Sequence, residues 1–330
     1  MLTRRRVLIG LGGTVGAVAL GGCSGGDGSP APAEGGSAGR VPITNRYGTY
    51  EIPLDPQRLV LMENRRELEI ATAIGLTPTA VGYFFEFEGG AAPWVAPWVP
   101  YEPTGAEQTF ESFATNTESL LAMRPDLILS GANWLDASDP PYWSYGALSR
   151  VAPVVPVGLV DTDWREDLRQ VAGWMQRTDA LDRTLAEFAE LRDSIRSRYA
   201  GTLGTAQVAM GSAEDPALWL ADLDSGTPAS LALQELGGSL MPFRDAGAVD
   251  NGWLTLSPER IGELEGADAA LIWGPDQPSR DALTSNPLWA EVPAVAEDRV
   301  IVSEQNVGSG HLYTVMECMR LWDRVYERLG

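Results

Sequence analysis

The feature that most constrains this chain is the run from Asp163 to Gly201, DWREDLRQVAGWMQRTDALDRTLAEFAELRDSIRSRYAG, the only long helical pattern in the middle of the sequence. Apolar residues recur at Leu181, Leu185, Phe188, Leu191, Ile195 and Tyr199, steps of three and four that make one face of a 3.6-residue helix. Asp179 stands where an N-cap belongs and Gly201 where a C′ glycine would end the run. A shorter helix, roughly Trp164 to Gln176, leads into it. A helix of about 22 residues spans roughly 33 Å at 1.5 Å per residue, enough to cross from one body to another. A helical hairpin inside one α/β domain would show the same periodicity. Strand and helix alternate on both sides of the run, however, and 330 residues exceed one comfortable core.

Upstream, ITNRYGTYEI reads as a hairpin, RLVLME as a short buried strand, and Asn64 to Ile74 as a helix closed by Gly75. TAVGYF, NTESLLAM, LILSG and APVVPVG continue as strand, helix, strand, strand, the order of parallel β/α packing. Two long irregular stretches interrupt it, EFEGGAAPWVAPWVPYEPTGAEQTF and ANWLDASDPPYWSYGAL; loops of that length are commonly functional. Beyond Gly201 the pattern restarts. AQVAMGS, ALWLAD, ADAALIWGP and the end of SNPLWAEVPAVAEDRVIVSE are strands, and ASLALQELGG, LSPERIGELEG and TVMECMRLWDRVYERL are helices.

The N-terminus carries an address. Thr3-Arg4-Arg5-Arg6-Val7-Leu8 is a twin-arginine pattern, followed by a glycine-rich apolar run too short for a convincing membrane span. Leu20-Gly21-Gly22-Cys23 resembles a lipobox, in which Cys23 becomes the lipidated first residue; a short anchor helix with an incidental cysteine is the alternative. The glycine, proline and serine that follow form a tether. Cys318, the other cysteine, then has no disulfide partner and reads as a small buried hydrophobe. These boundaries divide the chain into a signal peptide (1–22), a tether (23–40), an N-terminal lobe (41–163), a helical connection (164–201) and a C-terminal lobe (202–330). The net charge of -21 argues against a nucleic-acid partner, and every basic residue is arginine.

RLVLME, ELEIATAIGLTPTAVGY, NTESLLAMRPDLILSG, YGALSRVAPVVPV, LSPERIGELEGADAALIWG and NPLWAEVPAVAEDRVIV, in this order, resemble the ABC-transporter substrate-binding lipoproteins for ferric siderophores, haem and cobalamin. The resemblance covers almost everything from Ile43 to Leu329. It implies an α/β fold of two Rossmann-like lobes bridged by one long helix, a class III substrate-binding protein of the helical-backbone metal receptor type. It also implies a ligand held between the lobes with little hinge closure, and a monomer on the extracytoplasmic face, lipid-anchored to the cell membrane. Its partners are then an ABC permease and that permease's ATPase subunit. Docking in the family uses one surface glutamate per lobe, which by matching motif falls on Glu118 and Glu259; helix-dipole complementation explains both equally.

An Fe(III)–siderophore complex is wide, partly apolar and anionic, so a pocket for it calls for aromatic walls and arginines and needs no resident cofactor or protein metal ligand. Open α/β sheets bind ligands at the carboxyl ends of their strands. Those positions give Arg65, Tyr83, Phe85 and Trp134 in the first lobe and Trp219, Arg244, Trp253 and Trp273 in the second. Trp253 falls where the family's hydroxamate binders often place a tryptophan. His311, the only histidine, lies in a loop that faces the cleft in the family, which leaves haem or a corrinoid as the alternative ligand. One histidine and one unlipidated cysteine argue against a zinc or manganese site. A metal-handling enzyme or a tethered sensor are the rival classes. Asp222 and Asp224 are the acid/base candidates, but no nucleophile elbow, phosphate loop or strand-borne GxGxxG accompanies them.

Overall fold

Short all-apolar runs become parallel strands covered on both faces, and they organise two lobes. The computed structural model describes residues 39–83, 92–95, 109–111, 117–135, 144–158, 164–243 and 249–330, with backbone alone for Tyr83, 109–111, Asn133 and Trp134. An antiparallel hairpin, β1 (Arg40–Asn45) and β2 (Gly48–Pro53), opens the fold, so the first strand takes in the last residue assigned by composition to the tether.

The first lobe alternates β3 (Leu59–Leu61), α1 (Arg66–Ala73), β4 (Ala80–Tyr83), β5 (Thr109–Glu111), α2 (Thr117–Met123), β6 (Leu127–Gly131), the single turns α3 (Ala132–Leu135) and α4 (Tyr145–Leu148), and β7 (Val154–Val157). Its sheet is wholly parallel in the order β5-β4-β3-β6-β7. Pro156 sits in β7, an edge strand, where a missing N–H costs nothing on the open side. The hairpin lies over that edge: the Tyr50 hydroxyl donates to the Val154 carbonyl at 2.5 Å, and Tyr47 stacks on Tyr145 with centroids 4.2 Å apart.

Two helices then cross between lobes, α5 (Trp164–Trp174) and α6 (Thr178–Arg198). The predicted stripe holds, with Leu181, Phe188, Ile195 and Tyr199 buried and Leu185 and Leu191 half-buried. The predicted ends do not. Asp179 is inside the first turn, Arg177 is the N-cap without a side-chain hydrogen bond, and the helix stops at Arg198, ahead of Gly201. Arg177 instead donates to the Gly75 carbonyl and pairs with Asp55, so a tertiary contact fixes the start where a local cap was expected.

The second lobe contains β8 (Gln207–Glu214), β9 (Ala217–Ala221), α7 (Pro228–Leu236), β10 (Ser239–Leu240), β11 (Trp253–Leu256), β12 (Ala269–Trp273), α8 (Gln277–Thr284), α9 (Pro287–Glu291), α10 (Pro293–Ala296) and β13 (Val300–Val302). Its sheet runs β11-β9-β8-β12-β13 with β10 beside β8, and β9 is antiparallel. The Thr227 hydroxyl caps α7 and Gly237, at φ 76°, closes it. LSPERIGELEG forms 3-10 turns over Pro258–Gly266 rather than an α-helix. Its glycines, Gly262 and Gly266, are poor α-helix formers. The C-terminal helix α11 (Leu312–Glu327) packs against α7, α6 and α1, so one apolar core runs through both lobes, while each sheet has a smaller core on its other face. Cys318 is fully buried in α11. No helix among the described residues is long and apolar enough to cross a membrane.

Candidate functional site

Between the lobes lies a cavity of about 620 Å³. The first lobe contributes Arg66 at the start of α1, Gly158 beyond β7, and Trp164 and Asp167 of α5; the second contributes the 223–226 turn, one face of α7 and the loop Gly308–His311 that follows β13. Gly158 takes φ 75°, and its N–H donates to the Asp167 carboxylate at 2.7 Å, which fixes the chain as it leaves the sheet. Trp164 packs on Phe188 of α6 with centroids 5.4 Å apart, and the Arg165 guanidinium lies 4.3 Å from the Trp164 ring while pairing with Glu235 of α7 at 2.6 Å.

The 306–314 segment is held from the first lobe by three buried side chains. Arg65 donates through one terminal nitrogen to the Asn306 carbonyl at 2.7 Å and through the other to the Ser309 carbonyl. Glu69 accepts from the N–H groups of His311, Tyr313 and Thr314 at 3.1, 2.8 and 3.1 Å and from the Thr314 hydroxyl at 2.5 Å. A carboxylate from α1 thus caps the N-terminus of α11, satisfying donors that a helix leaves without partners. Burial pushes its pKa up, against the pull of the Thr314 hydrogen bonds and of Arg65. Trp94 completes the set: its indole N–H donates to the Thr314 hydroxyl at 2.9 Å, and its ring lies 5.9 Å from the Arg65 guanidinium. Gly310, at φ 141°, is obligatory here, since a Cβ would collide with Thr314 Oγ1 and Glu69 Oε1.

Three of the predicted aromatics form a ladder beside the cavity. Trp219 meets Trp253 edge to face at 6.2 Å, and Trp253 meets Trp273 in the same way at 6.3 Å. Exposure falls along it: Trp219 is 42% exposed and lines a shallow depression with Trp253 and Asp250, whereas Trp273 is 2% exposed. At its inner end Trp273 Nε1 abuts Gly308, and at its middle Gly252 abuts the backbone of Ser225, so both cavity-lining turns touch the ladder or its neighbour.

Other predicted residues have different fates. Arg65, expected to face ligand, is 1% exposed and points into the 306–309 carbonyls, so it acts behind the wall. Trp273 is an inner rung rather than a contact surface. His311 lines the cavity, its ring is nine-tenths buried with Nδ1 unpartnered, and burial, then Arg66, brings its pKa down to about 3. Tyr83 and Trp134 have described backbone in β4 and α3, but their side chains, and Phe85, Arg244 and Cys23 entirely, lie outside the described residues. Glu118 and Glu259 are exposed in the first turns of α2 and the 258–266 helix. Among the described residues no group of three acidic, histidine or cysteine side chains is placed to hold a metal.

Arg66, Glu69, Trp94, Trp164 and Asp167 were not anticipated. For Arg66 and Glu69 the available signal was the run MENRRELE directly after a buried strand, charge at the carboxyl end of a sheet where a ligand wall belongs.

A family model described as periplasmic binding protein matches residues 108–307. Ferric enterobactin-binding periplasmic protein FepB of Escherichia coli O6:H1 is 23% identical over 279 residues, covering 78% of this chain and 82% of that protein. A periplasmic solute binding protein of Mycobacterium smegmatis superposes with a TM-score of 0.69 at 20% identity, covering 89% of this chain and all of the other. Streptococcus pneumoniae PiaA in complex with ferrichrome superposes with a TM-score of 0.58 at 18% identity, covering 86% and 96% of the two chains.

Proposed function

The chain belongs to the periplasmic binding protein family, and from that membership we propose that it is the substrate-binding component of an ABC importer, taking a ferric siderophore between its lobes and delivering it to the permease. The observation that carries this reading is the interlobe cavity of about 620 Å³ flanked by a tryptophan ladder, within the size range of small-molecule sites. FepB is named for ferric enterobactin and PiaA was solved with ferrichrome, which supports an iron chelate as cargo. Binding is the protein's whole task, and ATP hydrolysis in a separate subunit drives import.

Docking on the permease falls to Glu118 and Glu259. In support, each opens the helix that follows an edge strand, β5 in one sheet and β11 in the other, so the two glutamates occupy corresponding places in the two lobes. Both side chains are exposed, as electrostatic docking requires. Lipidation at Cys23 holds the protein, as a monomer, at the outer face of the membrane.

The deciding experiment titrates tryptophan fluorescence of the intact chain with ferric hydroxamate and catecholate chelates, haemin and cobalamin. Saturable quenching by an iron chelate, weakened by Trp219→Ala or Trp253→Ala, establishes the reading; binding of haemin or cobalamin alone replaces the cargo, and no binding refutes a transport role. Glu118→Ala with Glu259→Ala is expected to abolish uptake by cells while leaving the titration unchanged, and Cys23→Ala to abolish metabolic labelling with palmitate.

A further inference from the structure

The walls of the cleft carry a charge balance that bears on which iron chelates fit, an inference that rests on the siderophore reading above. Among the described residues the cavity is lined by one arginine, Arg66, and two carboxylates, Asp167, buried and accepting from the Gly158 N–H, and the exposed Asp224. The depression at the outer end of the tryptophan ladder adds Asp250 and, among the described residues, no cation. The neighbouring guanidiniums are engaged elsewhere: Arg65 donates to two backbone carbonyls behind the wall, and Arg165 pairs with Glu235 at 2.6 Å. His311 is uncharged at physiological pH, because burial and Arg66 bring its pKa down to about 3. Beyond the cleft, the chain as a whole carries -21 and has no lysine.

A chelate that keeps several negative charges would give up its hydration on entering such a cleft and meet a single opposed guanidinium in return. It would also be repelled during approach by the field of the whole protein. A neutral chelate has no such penalty, and a cationic one gains from the two exposed carboxylates, Asp224 and Asp250, and from the π faces of Trp219 and Trp253. We propose that the cleft selects Fe(III) chelates of zero or positive net charge. Tris-hydroxamates have this property, because three singly charged ligand groups neutralise Fe(III) and a pendant ammonium leaves a net positive charge. Tris-catecholates, whose doubly charged groups leave the complex trianionic, are excluded despite the likeness to FepB.

The test titrates the intact protein with a neutral ferric tris-hydroxamate, one bearing an ammonium, and a ferric tris-catecholate, at low and high salt. Both hydroxamates are expected to bind at least about tenfold more tightly than the catecholate, with the cationic chelate weakened by salt. Asp224 and Asp250 are exposed, so Asp224→Asn with Asp250→Asn leaves the fold intact, which its unfolding temperature checks. This double variant is expected to weaken the cationic chelate about threefold or more relative to the neutral one. Tighter binding of the catecholate, or an unchanged cationic-to-neutral ratio in the variant, overturns the charge assignment and leaves the siderophore reading standing. Failure of all three chelates to bind overturns that reading itself.

Discussion

Glu69 shows how much of this fold rests on single buried charges. Its carboxylate answers four donors at the start of α11. Glu69→Ala strips those donors inside the core and leaves Arg65 without its neighbouring charge. A loss of about 3 kcal/mol is expected in urea unfolding. Glu67, two residues earlier, behaves differently. Its Oε1 accepts from the Gly131 N–H at 2.6 Å, while Oε2 is buried without a hydrogen-bond partner. Burial, reinforced by Glu63 and opposed by Arg66, raises its pKa well above the ordinary 4.5. The fold therefore favours the protonated form; that stability is fully present below pH 4.5 and is lost as pH rises through the raised value. Glu67→Gln, neutral at every pH, should gain steadily on the wild type in stability as pH rises from 5 to 8. A difference that stays constant across that range would mean the carboxylate is charged in the folded protein. Neither role was legible in the sequence: in MENRRELE both look like solvated helix charges, and only contacts 64 residues away for Glu67 and 244 for Glu69 make them structural.

Elements were read more easily than residues. The long helix α6 announced itself by its 3.6-residue stripe, and the fully buried strands β3, β6, β7 and β12 by their apolar runs, because burial on both faces leaves no other composition possible. The missed strands were β5 and β11, at sheet edges, and β10, beside the start of β8, pieces of two to four residues where pairing depends on a neighbour rather than on local pattern. Part of the ladder logic was also readable, since Trp253 and Trp273 stand at strand ends, but Trp219 is in mid-strand and its contact with Trp253 follows from the antiparallel register of β9 and β11. At this scale the test is Phe188 of α6, buried against Trp164 on the cavity wall. Phe188→Ala is expected to cost about 3 to 4 kcal/mol in chemical denaturation. A cost below about 1 kcal/mol would mean that α6 is not pinned to α5 there.

At the scale of the molecule, the two lobes are joined by more than the crossing helices. Arg65, Glu69 and Trp94 fasten the first lobe to the 306–314 segment, and a single apolar core passes through α6 and α11. Opening the cleft by a hinge would break a buried network. The radius of gyration measured by small-angle X-ray scattering should therefore change by less than about 1 Å on saturation with a ferric hydroxamate chelate. A contraction of several ångströms would show that the fastening opens.

That fastening also orders events during synthesis. Once residues up to Val302 have been made, every described strand of both sheets exists. The backbone groups that answer Arg65 and Glu69 do not yet, because they lie 241 to 245 residues further along the chain. The first lobe is thus finished by a segment made after both sheets, and its buried charges wait for Asn306 to Thr314 before they find their partners.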